Sequence, residues 1–137
     1  MDNNQNNKKT GRQIIYSLLL AGFVSACSSG AYQAQREEFN QTIPECNGTA
    51  DCQVKWAAAL DWVRNNASYG IRVNNENRIE TFDADTTRAG TEVQVTRELI
   101  EGERYRILVN IDCFAAYGCP PYWETALDFN RTVNAAR

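Results

Sequence analysis

Residues 104–114, RYRILVNIDCF, decide how this chain folds. Tyr105, Ile107, Val109, Ile111 and Cys113 occupy every second position, and Arg104, Arg106, Asn110 and Asp112 fill the others. Leu108 is the lone apolar residue on the polar side. Successive side chains of a strand point to opposite faces, so this pattern predicts a strand with one buried and one wet face. Such a strand belongs in an antiparallel sheet covered on one side.

Working upstream, Glu101-Gly102-Glu103 turns the chain into a second alternating run, Thr91 to Glu98, with Val93 and Val95 inward. A polar loop, Asp83 to Gly90, precedes it. Before the loop come a strand at Arg78–Phe82, the turn Asn74-Asn75-Glu76-Asn77, and a strand carrying Tyr69, Ile71 and Val73. These runs make a four-stranded meander. On one side of it, Asp51 is a candidate N-cap for a helix over Cys52–Asn65. That helix gathers Cys52, Trp56, Ala59, Leu60 and Val63 on one face, with Trp62 off the stripe and expected to be half exposed. Downstream, Pro120-Pro121 opens a second helix to Val133, its stripe made by Tyr122, Ala126, Phe129 and Val133, with Trp123 and Leu127 beside it. The expected fold is an α+β two-layer sandwich, a four-stranded antiparallel meander flanked by two helices in the order α-β-β-β-β-α.

The first 27 residues are of another kind. Lys8, Lys9 and Arg12 are followed by an apolar run from Ile14 to Val24, and then by small residues. A positive start, a short apolar centre and a small-residue exit describe a secretory signal. The run is well short of the roughly 20 residues that span a bilayer. Val24-Ser25-Ala26-Cys27 resembles the lipobox of bacterial lipoproteins. That resemblance implies cleavage between Ala26 and Cys27 and a lipid on the Cys27 thiol, with Ser28 favouring the outer membrane. The expected layout is a signal peptide at 1–26, a lipidated and flexible tether at 27–43, and a periplasmic domain at 44–137. The tether is polar throughout, with at most a helical turn near Gln35–Phe39.

Four further cysteines, Cys46, Cys52, Cys113 and Cys119, would sit in an oxidising compartment, where an even number implies disulfides. Three pairings are possible. Local pairing, Cys46–Cys52 and Cys113–Cys119, is the simplest, since each segment has five intervening residues and contains a glycine that lets the chain turn back. Zinc sites and redox pairs favour tighter spacings than these.

Composition narrows the chemistry. Hydrophobic residues make up 43%, which fits a globular domain. With Asp2, Lys8, Lys9 and Arg12 set aside with the leader, 11 basic and 16 acidic residues remain, a net charge of −5. Such a domain repels phosphate backbones, so no nucleic-acid partner is expected. The chain has no histidine, which removes the commonest general base and metal ligand. No cofactor or metal is expected; Asp83-Ala84-Asp85 lacks the glycine and late glutamate of a calcium loop. Among aromatics, Trp62, Tyr117, Tyr122 and Trp123 form a possible interaction patch, although packing of the core and bracing of the Cys113–Cys119 loop is the favoured reading.

The run Cys46–Cys52, Lys55-Trp56, Trp62-Val63, Ile79-Glu80-Thr81, Cys113 and Gly118-Cys119 resembles a family of small lipoproteins of gammaproteobacteria with no assigned activity. The resemblance implies the envelope location and the paired cysteines, and nothing about mechanism. The leading expectation is a non-catalytic module on the outer membrane, facing the periplasm and binding an envelope protein or peptidoglycan. One alternative is an inhibitor of lytic enzymes such as lysozyme, steered by its acidity. The other is a carboxylate-dependent hydrolase using Glu80, Glu92 and Asp112.

Overall fold

Val93 opposite Ile111, and Val95 opposite Val109, form the centre of a five-stranded antiparallel sheet. The computed structural model describes residues 27–83 and 89–137, with side chains from Gly30 onward. The elements are α1 (Cys27–Gln41), β1 (Glu45–Asn47), α2 (Gly48–Asn66), β2 (Ile71–Asn74), β3 (Arg78–Thr81), β4 (Gly90–Glu101), β5 (Arg104–Phe114) and α3 (Tyr122–Ala135). The sheet order is β1-β5-β4-β3-β2. Gln35–Arg137 is one compact unit, and only the part of α1 from Gln35 onward belongs to it. The leader with Ala26, and positions 84–88 of the polar loop, lie outside the described residues.

The expected α+β class and the meander β2-β3-β4-β5 are present, with α2 and α3 packed on one face. Ile79, Val93, Val95, Ile107, Val109 and Ile111 meet Ala59, Val63, Phe129 and Val133 in a single core. The alternation in β5 is realised as read: Ile107, Val109 and Ile111 are buried, and Arg106, Asn110 and Asp112 are exposed. At the β2–β3 turn, Asn75 Oδ1 accepts from the backbone N–H of Asn77 (3.0 Å) and of Arg78 (2.9 Å), so the side chain itself closes the hairpin.

The fifth strand is a correction to the expected four. β1 pairs with β5, Cys46 standing opposite Tyr105, and Pro44 O accepts from Ile107 N–H at 2.8 Å. With one apolar residue in three, β1 has no alternation of its own to read. It exists because β5 offers a free edge and Cys46 is tied to α2. Both disulfides have the local pairing, Cys46–Cys52 and Cys113–Cys119. The glycine inside each loop takes a positive φ, 72° at Gly48 and 95° at Gly118, a conformation that side chains other than hydrogen disfavour.

Two helices differ from expectation. In place of a single turn near Gln35–Phe39, α1 runs to Gln41, and Phe39 packs against the core. The end of α1 is held by α3: Asn130 Nδ2 donates to Phe39 O (3.1 Å) and Thr42 Oγ1 (3.2 Å), and Asn134 Nδ2 donates to Thr42 O (2.8 Å). Those bonds satisfy carbonyls that a helix end leaves open. The second helix, α2, begins at Gly48 rather than Cys52, with Asn47 as N-cap. Asp51 lies inside the first turn and reaches back to accept from Asn47 N–H at 2.8 Å. That bond satisfies the N-cap N–H, as the acid of a capping box does from one position earlier.

The Asn47 N–H, with Lys55 assisting and partial burial opposing, holds the Asp51 carboxyl below its ordinary value. A carboxyl lowered on folding contributes stability above its unfolded pKa, and that stability disappears as pH falls through the folded value. Asp51→Asn should therefore flatten the acid limb of stability below about pH 4. Urea unfolding of both forms between neutral pH and pH 2 checks this. The effect is small, because the Asp51 side chain is 40% exposed and screened by water.

Candidate functional site

Two crevices open at opposite ends of α2, where it lies over the sheet. The first holds about 380 Å³ and is lined by Asn66, Thr91, Ile111, Tyr122 and the Cys113–Cys119 disulfide. The second holds about 470 Å³ and lies between the first half of α2 and the β4–β5 hairpin. It contains a charged side chain that is partly withdrawn from solvent and, among the described residues, has no charged partner.

That side chain is Arg97. Its parity along β4 is that of Val93 and Val95, so it points toward the helices, across from Ile107. The guanidinium lies over Trp56, 5.6 Å from the ring centroid, and over Tyr105, at 5.0 Å. Cation–π attraction of this kind is worth about 0.5–2 kcal/mol per ring. Trp56 is fixed in turn, since its indole N–H donates to Asn75 O at 3.1 Å. Among the described arginines, Arg97 alone is partly withdrawn from solvent. Its Nε is buried without an acceptor, and no carboxylate among the described residues pairs with it. Glu76 and Glu103 stand on the groove wall without pairing with it. The N-terminal residues of α2, Gly48 and Thr49, also line the groove, with Gln53, Ala57 and Leu60 further along the helix, and the positive end of the helix dipole adds to the local field. Leu99, opposite Tyr105 in register, is 60% exposed.

The four aromatics expected as a patch are not one surface. Trp62 is a correction: it is 4% exposed, packs edge-on to Phe129 at 5.2 Å, and donates its indole N–H to Asp128 Oδ2 at 2.7 Å. It sits off the sheet-facing stripe because its partner is α3. Tyr122 and Trp123 meet edge-to-face at 4.8 Å, and Trp123 packs on Phe39 at 5.4 Å. Tyr117, in the Cys113–Cys119 loop, stands wholly in solvent.

The acids suspected of hydrolysis lie on the uncovered face of the sheet. Glu92 is opposite Asp112, and Glu80 is opposite Gln94. Glu80 pairs with both Arg72 and Arg78, while Asn110 Nδ2 donates to Asp112 at 2.8 Å. The hollow between them holds about 50 Å³, little more than a water or two. Among the described residues, no group of three or more acids and cysteines is arranged to hold a metal. None of their helices is long and apolar enough to cross a membrane.

Sequence reasoning passed over Arg97, Trp56 and Tyr105 as a unit. The signal was present: a charge at an inward position of an otherwise apolar alternation. What no pattern shows is that two aromatics from other elements close over it. No family model, curated protein or solved structure matches the chain.

Proposed function

We propose that the chain is a lipid-anchored envelope protein whose domain works by binding, without chemistry of its own. The location is supported by the leader and by Val24-Ser25-Ala26-Cys27, and membership of the small lipoprotein family by the two Cys-x5-Cys disulfides. Binding is supported by one observation above the rest. A guanidinium is held half-buried between Trp56 and Tyr105, and among the described residues no carboxylate pairs with it. Withdrawing an unpaired cation from water is unfavourable; the two rings offset part of that cost, and a ligand carboxylate would offset more of it.

The location is tested by intact-mass analysis of the native protein extracted from membranes. The expected mass begins at Cys27 and includes acyl chains; an unmodified Cys27, or a retained leader, rules out the anchor. The binding role is tested by crosslinking in intact cells, where recovery of no partner above an unanchored control counts against it.

A second reading, inhibition of a lytic enzyme, draws on a different feature. The Cys113–Cys119 loop pins Tyr117 in full contact with solvent, a shape suited to entering another protein's cleft. Lysozyme assayed with excess protein and with Tyr117→Ala decides it: inhibition by the first and its loss in the second are required.

A further inference from the structure

We infer that the groove between α2 and the β4–β5 hairpin receives the free carboxylate of a short peptide, with Arg97 as its partner. This deepens the binding role above and rests on it. Arginine presents a planar fork of donors that matches a carboxylate with two parallel hydrogen bonds. In this groove the fork is pre-set: Trp56 and Tyr105 hold the guanidinium, and Asn75 holds Trp56. Little side-chain freedom remains to be lost on binding, which favours affinity.

The surroundings select among anions. Glu76 and Glu103 share the groove with Arg97, and the rest of the domain is acidic. A phosphate, which brings no donor, would meet only repulsion from these carboxylates, each of which can accept from an amine. A ligand carrying a carboxylate and an amine a few bonds apart satisfies both requirements, and short peptides are such ligands. The volume of about 470 Å³ falls in the range of small-ligand pockets and suits two or three residues. Between a protein C-terminus and the stem peptide of peptidoglycan, the mixed charge of the groove favours the stem. Its short chain carries a carboxylate beside a free amine, the pair that Arg97 and the two glutamates can each meet. Leu60 and Ala57 in the groove lining offer apolar contact to its alanines.

The test is calorimetric titration of the full-length protein in detergent with three synthetic probes. These are a stem tetrapeptide as free acid, the same peptide with every carboxylate amidated, and an eight-residue peptide of L-residues with a free C-terminus. Saturable 1:1 binding of the free acid is expected, with the amide about ten- to a hundredfold weaker. Arg97→Gln should weaken the free acid to a similar degree, and Arg97→Lys less, since it keeps the charge and loses the fork. Because the acid–amide comparison leaves the protein untouched, it stands even where a variant fails to fold. Absence of binding by the free acid, or equal binding of acid and amide, overturns the proposal. Binding of the L-peptide alone overturns the choice of occupant. An unacylated Cys27 would leave these titrations unchanged, so failure of the anchor and failure of the groove are told apart.

Discussion

Phe129→Ala is expected to destabilise the domain by about 3–5 kcal/mol, the usual range for emptying a buried aromatic site. Phe129 is fully buried and is the largest side chain so enclosed. Its ring packs against Trp62, and α3 presents it to the core beside Val133 and Ala126. Alanine would leave a cavity that the rigid sheet behind it cannot fill by relaxing. Domains of this size are stable by only about 5–15 kcal/mol, so the variant should lose much of its margin. Equilibrium urea unfolding measures it, with a lower midpoint and an unchanged slope. Tyr117→Ala, at a wholly exposed position, is the control and should shift stability by less than about 0.5 kcal/mol. A loss under about 1 kcal/mol at Phe129 would mean that α3 does not pack as described.

Loss of both disulfides should cost about 4 kcal/mol, near 2 for each, because each closes a short loop of sequence separation 6. Loop entropy treats the two alike, yet their surroundings differ. Cys46 and Cys52 are 2% and 3% exposed, within the core, whereas Cys119 is exposed at the mouth of the smaller crevice. Removing the first pair also frees β1 from the start of α2, so its edge pairing with β5 is weakened. Cys46→Ala with Cys52→Ala should therefore lower stability more than Cys113→Ala with Cys119→Ala. Thermal unfolding of the two double variants ranks them, and the reverse order would place the burial of the first pair in doubt.

Elements whose identity rests on local periodicity were legible. The alternation of β5 and the apolar stripe of α3 repeat over three or more turns or pleats, long enough to mark a buried face. The Asn-rich turn before Arg78 announced itself by residue type. The expected polar stretch before Pro44 hid a helix, because what stabilises α1 from Gln35 onward is not its own pattern. Phe39 packs on the core, and Asn130 and Asn134 reach across from α3 to its last carbonyls. Nothing in the composition of 28–43 encodes those partners, which lie some ninety residues away.

The candidate groove divides in the same way. That Arg97 shares the inward parity of Val93 and Val95 can be read from β4 alone. That its guanidinium is gripped on two sides depends on Trp56 from α2 and Tyr105 from β5, brought together only when both layers close.

By itself, the order of residues determined the class of fold, the buried faces of β5 and α3 and the inward direction of one arginine, and it made local cysteine pairing the simplest of three, because each follows from short-range geometry. Which helix flank Trp62 occupies, whether Glu45–Asn47 joins the sheet, and what surrounds Arg97 were decided only in three dimensions. Those contacts join residues far apart in the chain. They form because packing fills space and satisfies polar groups wherever they meet, with no regard to separation along the backbone.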